Sequence, residues 1–258
     1  MVYLGKLKEN KVIQNPKQTG SNLIDAVPQT GECPRDCGVN CGCECYGKGE
    51  RFYLPKDVPH MPTKEEAEGK IVRVNSYRDS NDMTVEEYYS VRYADWDHMF
   101  FNTCVPKFDF PVVKKPECVT TRQAPVVYTC NGGPDNYWTP GGLIPPNVMF
   151  VRIRVNTWEV EHQDEMVAYY LEQKVPIVFT FLNYTSPVFI PNRSWNEYFQ
   201  KVHVTHSYSS PTRLAMARVM ERYKGKGVRM CGTPWSSLCV DCRNCEFLYW
   251  DCLRRMEE

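Results

Sequence analysis

The run VMFVRIRV at residues 148–155 and the run PIVFTFL at residues 176–182 decide the fold prediction. Between them, Met166, Val167, Tyr170 and Leu171 recur at the spacing of one helical face, which predicts a helix over 159–173. Two unbroken apolar strands joined by a helix are typical of a parallel βαβ unit, in which both faces of the sheet are covered.

The same alternation extends over most of the chain. Thr84 and Glu87 form a capping box that predicts the start of a helix ending near Trp96. Further helices are predicted at 63–69 and 211–223, and further strands at 23–27, 70–75, 99–103, 125–130 and 227–230. We therefore predict an α/β fold, a full or partial βα-barrel of about six parallel strands with a C-terminal cysteine-cluster extension. A flat doubly wound sheet is the alternative that periodicity does not separate from it.

This pattern divides the chain into three parts. Residues 1–20 are expected to be a flexible polar arm, 21–230 the barrel with a cysteine loop at 33–45, and 231–258 a C-terminal cysteine segment. The 31 basic and 31 acidic residues balance, so a nucleic-acid partner is possible but is not indicated by net charge. The chain has no apolar run of membrane-spanning length and no signal-peptide pattern at its start, so we expect a cytoplasmic protein without a membrane partner.

The 13 cysteines are concentrated in two places. Five lie within residues 33–45 and five within residues 231–252, whereas thiols used only for packing would be scattered. In the first group Cys33, Cys37, Cys41 and Cys45 are spaced by four residues, with Cys43 inserted. Iron–sulfur clusters and zinc both accept thiolate ligands, and crowding on one loop favours iron–sulfur. Disulfides in a secreted protein are the remaining alternative.

The second group contains the spacing C-x2-C-x2-C at Cys239, Cys242 and Cys245. Iron–sulfur proteins use this spacing for three thiolates on a tight turn, with a fourth ligand from elsewhere. Cys231, at the end of a predicted strand, is the expected fourth ligand. Zinc is the main competing metal, and Cys252 is expected to be a packed thiol.

Several of these segments resemble a known family. A cysteine loop after the first strand that ends in Cys45-Tyr46 is similar to that of the radical S-adenosylmethionine superfamily, and the second group resembles the auxiliary iron–sulfur sites of some members. More narrowly, the chain resembles a set of such proteins found in phage and bacterial sequences. The segments that carry this resemblance are 72–81, 100–103, 150–155 and 231–246.

The resemblance implies two [4Fe-4S] clusters and S-adenosylmethionine as cofactors. It implies Cys33, Cys37 and Cys45 as ligands of the first cluster, although the usual C-x3-C-x2-C spacing is absent and Cys41 would close the open iron if it also bound. The cofactor's amino group is expected to meet acceptors after the second strand, at Asn75, Asp79, Ser80 and Asn81.

Arg152 and Arg154 alternate with apolar residues, which places both on one face of their strand. If that face lines the barrel, either guanidinium could pair with a substrate or cofactor carboxylate. A solvated edge strand or an internal ion pair is the alternative.

Three functions remain open from the sequence. The first is reductive cleavage of S-adenosylmethionine to a 5′-deoxyadenosyl radical that acts on an unknown substrate, with a reductase or flavodoxin-type protein as electron donor. The second is a non-catalytic iron–sulfur or zinc protein with structural metal sites. The third is a nucleic-acid-modifying protein on the same barrel, with the N-terminal lysines Lys6, Lys8, Lys11 and Lys17 near the phosphates.

Overall fold

The computed structural model describes residues 15–31, 58–76, 78–113, 121–130, 143–202 and 207–257. In chain order the strands and helices of these residues are β1 (Leu23–Ala26), α1 (Lys64–Ala67), β2 (Ile71–Val74), α2 (Val85–Arg92), β3 (Met99–Thr103), β4 (Pro111–Val113), β5 (Thr121–Gln123), β6 (Val126–Cys130), β7 (Val148–Val155), α3 (Val160–Glu172), β8 (Ile177–Phe181), β9 (Tyr198–Val202), β10 (Ser207–Pro211), α4 (Arg213–Arg222), β11 (Val228–Met230), α5 (Cys239–Cys242) and α6 (Asn244–Glu257).

Seven of these strands form one parallel sheet in the order β1-β2-β3-β6-β7-β8-β11. Each strand is added on the same side as the one before it, so the strand order never reverses. A doubly wound sheet reverses its order at the switch point, and this sheet does not. The order is compatible with a partial βα-barrel, with β1 and β11 as the two edges among the described residues.

The local predictions are largely confirmed. All seven strands of the sheet lie within a residue or two of their predicted positions, and the capping box at Thr84 and Glu87 forms as expected. Two boundaries were wrong. Helix α2 ends at Arg92, four residues before the predicted end near Trp96. Pro211 ends the hairpin strand β10, and helix α4 begins after it. The hydroxyl of Thr212 accepts a hydrogen bond from the backbone N–H of Ala215 and so caps that helix.

One face of the sheet carries an apolar row beneath helix α6. The row takes one residue from each of six strands and is almost completely buried: Leu23, Ile71, Phe100, Val127, Phe150 and Val178. Leu248, Tyr249 and Cys252 of α6 pack against it. The opposite face is covered by helices that include α2 and α3, through Val91, Met166 and Tyr170. Apolar surface on both faces explains why the strands are unbroken apolar runs.

Two residues further along each of the six strands, the face that α6 covers becomes polar. Because side chains alternate across a strand, these residues share the face of the apolar row. They are Asp25, Arg73, Asn102, Thr129, Arg152 and Thr180. Parallel strands all end at the same edge, so this polar row lies on the carboxyl-terminal side of the apolar core. Binding sites in parallel α/β sheets are found on that side.

Other parts of the chain were not anticipated. Two antiparallel hairpins, β4–β5 and β9–β10, lie outside the main sheet. The last residues of the predicted N-terminal arm pack against β1, where the fully buried Gln18 donates a 2.8 Å hydrogen bond to Asp25. Among the described residues, no helix combines the length and apolar character needed to cross a membrane.

Candidate metal centre

The four cysteines predicted for the second metal site line one pocket. Cys231, Cys239, Cys242 and Cys245 surround it together with Arg73 and Arg152 of the polar row. Leu23 and Val178 of the apolar row form part of its wall. The structure therefore brings together the predicted ligand set beside the polar face of the sheet.

The turn between the cysteines explains how they reach one pocket. Cys239 and Cys242 begin and end the single turn of α5, and Cys245 lies in the first turn of α6. Arg243 between the two helices has a left-handed backbone with φ of 49°, which reverses the chain. Its N–H donates to the carbonyl of Cys239 at 2.8 Å.

The main sheet fixes the first cysteine of this segment, Cys231. The backbone N–H of Cys231 donates to the carbonyl of Phe179 at 2.7 Å, which continues the pairing of β11 with β8. Asn244 is buried, and its side-chain amide donates to the carbonyl of Met230 at 2.6 Å. The start of α6 is thereby tied to the residue before Cys231, which keeps Cys231 and Cys245 close together.

Gly232 allows the tight turn after Cys231. Its φ is +76°, and a Cβ at this position would lie 2.7 Å from the carbonyl oxygen of Ser236. The hydroxyl of Thr233 accepts hydrogen bonds from the N–H groups of Trp235 and Ser236. Ser236 donates through its own hydroxyl to Asp241 in α5. This compact turn connects the strand-end cysteine to the helical ones.

Replacing Gly232 by alanine is therefore expected to disturb both folding and metal binding. A left-handed backbone costs a non-glycine residue about 1–3 kcal/mol, and the clash with Ser236 adds to that cost. Urea unfolding should show a larger loss for Gly232→Ala than for Gly225→Ala, because Gly225 has the same φ with no atom within 4 Å of a Cβ. Equal losses in the two variants would contradict this account of the turn.

Burial sets the protonation state of the thiols. It raises the pKa of Cys239 to about 11 and that of Cys245 to about 12, and the nearby arginines only partly offset it. Both groups are neutral thiols at neutral pH when no metal is bound. Metal binding would release their protons.

The cysteines share a pocket, but within the described part of the chain no three His, Cys, Asp or Glu side chains are arranged to hold a metal ion. In type and number the donors fit a thiolate-bound zinc ion or iron–sulfur cluster.

The two arginines that the polar row contributes to the pocket differ in their partners, and a third pocket arginine, Arg243, pairs with Glu246. Arg73 pairs with buried Asp25 through two hydrogen bonds, from Nε at 2.8 Å and from an Nη at 3.3 Å. Arg152 donates to the neutral oxygens of Asn102 and Thr129 at 3.4 and 3.3 Å. The sequence analysis did not predict the Asp25–Arg73 pair. Opposite charges in two successive, mostly apolar strands would have indicated it.

The predicted cofactor residues after β2 form a separate hydrogen-bonded group. Asp79 is buried and accepts four hydrogen bonds, from the N–H of Asn81, the hydroxyl of Thr103, and the N–H and thiol of Cys104. Asn81 also donates to the Thr103 hydroxyl at 2.8 Å. Asp79 and Asn81 thus fasten the loop after β2 to the end of β3.

Asn75 and Ser80 lie beside this group. Asn75 is buried with φ of 56°, and its amide donates to the Ser80 hydroxyl at 3.2 Å. Among the described residues, its side-chain oxygen has no hydrogen-bond partner. A buried acceptor without a partner is costly unless something else supplies a donor. Of the four predicted residues, Asn75 has the acceptor best suited to a ligand's ammonium group.

The remaining predicted residues are less informative. Arg154 lies two positions beyond Arg152 on β7, is partly exposed, and is paired in register with Thr180 of β8. The first cysteine group, with Cys33, Cys37, Cys41 and Cys45, lies outside the described residues.

Comparison with known proteins adds no relative. No family model matches the chain, and no match is found among curated proteins or solved structures.

Proposed function

We propose that this protein is an iron–sulfur enzyme of the radical S-adenosylmethionine type. The observation that carries the proposal is the pocket in which Cys231, Cys239, Cys242 and Cys245 meet beside the polar row. Four cysteines on one pocket, three of them from a C-x2-C-x2-C turn, are a typical donor set for an iron–sulfur centre. The parallel sheet in chain order is the second support, since it is compatible with a partial βα-barrel.

In this proposal the two cysteine groups have different roles. Cys33, Cys37 and Cys45 hold the cluster that meets S-adenosylmethionine, and the four C-terminal cysteines hold a second cluster. A reduced cluster supplies one electron that cleaves S-adenosylmethionine to methionine and a 5′-deoxyadenosyl radical, which takes a hydrogen atom from the substrate.

The remaining residues bind and orient the cofactor. The side-chain oxygen of Asn75, which has no hydrogen-bond partner among the described residues, accepts a hydrogen bond from the cofactor's ammonium group. Asp79 and Asn81 keep the loop that carries Asn75 and Ser80 against the end of β3. In this proposal Arg154, on the same face of β7 as Arg152, pairs with a substrate or cofactor carboxylate.

Cofactor cleavage is the direct test. Anaerobically purified protein should be brown and contain about eight iron atoms per chain, the content of two [4Fe-4S] clusters. After dithionite reduction it should convert S-adenosylmethionine to 5′-deoxyadenosine, measured by liquid chromatography. Cys33→Ala should abolish this product because it removes a ligand of the cofactor-binding cluster. Colourless protein that contains only zinc would overturn the proposal.

A non-catalytic metal protein is the second candidate. It is favoured by the number of cysteines at the pocket, since four protein thiolates leave no open position for a substrate or cofactor. Brown protein that gives no 5′-deoxyadenosine, and that keeps its properties in Cys33→Ala, would support this candidate.

A further inference from the structure

Among the described residues, Arg152 has only electrically neutral partners. Its side chain leaves β7 on the polar side of the sheet and lines the cysteine pocket. It donates to Asn102 and Thr129, and its guanidinium lies 5.7 Å from the centre of the Phe150 ring. All three contacts are electrically neutral.

The other two arginines of the pocket each have a carboxylate partner, Asp25 for Arg73 and Glu246 for Arg243. The positive charge of Arg73 is neutralised by Asp25, whose side chain is only 2% exposed. Among the described residues, Arg152 forms no ion pair with a carboxylate. A partly buried cation is costly to desolvate unless a negative charge compensates for it.

The cysteine pocket would provide that negative charge once metal is bound. Four thiolates carry more negative charge than a divalent ion carries positive charge, so the bound site is a net anion. Arg152 lines the same pocket as the four cysteines. The cation therefore lies where the excess charge would develop.

We propose that Arg152 is the counter-cation of the thiolate metal centre formed by Cys231, Cys239, Cys242 and Cys245. This inference rests on the proposed metal centre but not on radical chemistry. Arg152 acts as a positioning residue: it stabilises the thiolates and strengthens metal binding without being a ligand. This role differs from the carboxylate-binding role that the sequence predicts for the same side chain.

Cobalt binding tests the inference. Metal-free full-length protein is titrated anaerobically with Co2+, and the thiolate-to-cobalt charge-transfer absorption reports binding. Cys245→Ala serves as the reference that lacks the centre, so cobalt bound by the first cysteine group can be subtracted. Arg152→Gln is expected to weaken binding about 10- to 100-fold, the usual effect of removing a group that supports metal ligands.

Two further variants separate charge from structure. Arg152→Lys should recover most of the affinity, because it keeps the positive charge. Arg229→Gln removes an equal charge two residues before Cys231, but Arg229 is exposed and stacks on Phe247 at 4.5 Å. Solvent screens that charge, so affinity should change by no more than about twofold. In iron-reconstituted protein, Arg152→Gln should also lower the reduction potential, because the added electron loses a nearby cation.

The outcomes are distinct. If the wild-type protein shows no thiolate–cobalt absorption, the proposed metal centre itself fails. If the wild type binds and Arg152→Gln binds equally well, only the counter-cation role is overturned. Weaker S-adenosylmethionine binding with unchanged cobalt affinity would assign Arg152 to the cofactor carboxylate and would also overturn it.

Discussion

Cys245→Ala is expected to remove one of the two proposed metal centres. Its thiol lies in the first turn of α6 and lines the pocket with the three other cysteines. Loss of one thiolate leaves an incomplete donor set, and cluster content should fall from about eight to about four iron atoms per chain. Iron analysis and the electron paramagnetic resonance spectrum of the reduced protein measure this change.

Cys252→Ala is the matched control on the same helix. Cys252 is completely buried, and its sulfur lies 3.4 Å from the backbone oxygen of Asn147, away from the pocket. Its replacement creates a small cavity and should lower the free energy of unfolding while iron content stays unchanged. Equal iron loss in both variants would mean that α6 as a whole, and not the Cys245 thiol, determines cluster content.

Arg73→Met should lower the free energy of unfolding by about 3–5 kcal/mol, because it leaves the buried Asp25 carboxylate without its cation. Methionine keeps the apolar stem of the side chain, so the change isolates the charge. Urea unfolding of samples with matched metal content measures the loss.

Two comparisons make this prediction specific. Lys64→Met removes a cation from the exposed pair with Asp95, whose side chains are 61% and 46% accessible, and should cost at most about 1 kcal/mol. Asp25→Asn combined with Arg73→Met removes both charges and should recover much of the loss. A loss below about 1 kcal/mol in Arg73→Met alone would show that Asp25 does not depend on this pair.

Secondary structure was predictable because it depends on local chemistry. The capping box of Thr84 and Glu87 is a contact between residues three apart, and the seven strands are short, mostly apolar runs. The start of α4 was predicted wrongly because it depends on a contact that is not local. Whether Pro211 begins a helix or ends a strand depends on β9, its pairing partner, and not on its neighbours in sequence.

The candidate site was predictable only in its ligands. The C-x2-C-x2-C spacing identifies Cys239, Cys242 and Cys245, because ligands on one tight turn must be close in sequence. Asp25 and Arg73 are separated by 48 residues, and their pairing depends on the register of β1 with β2. Asp79 was predicted as a cofactor residue, and the structure shows that both its oxygens hold the loop to β3.

The sequence by itself determined the seven strands of the main sheet, the helices between them and which cysteines share a turn, since these follow from periodicity and short spacing. Only the tertiary structure decided that the strands follow one another in space without reversal, and that the C-terminal cysteines meet a polar row drawn from six strands. The physical reason is that strands pair so that both faces of the whole sheet are buried, and this depends on residues far apart in the chain. The pairing of the strands alone brought Arg152 into one pocket with Cys245, at a separation of nearly a hundred residues in the chain.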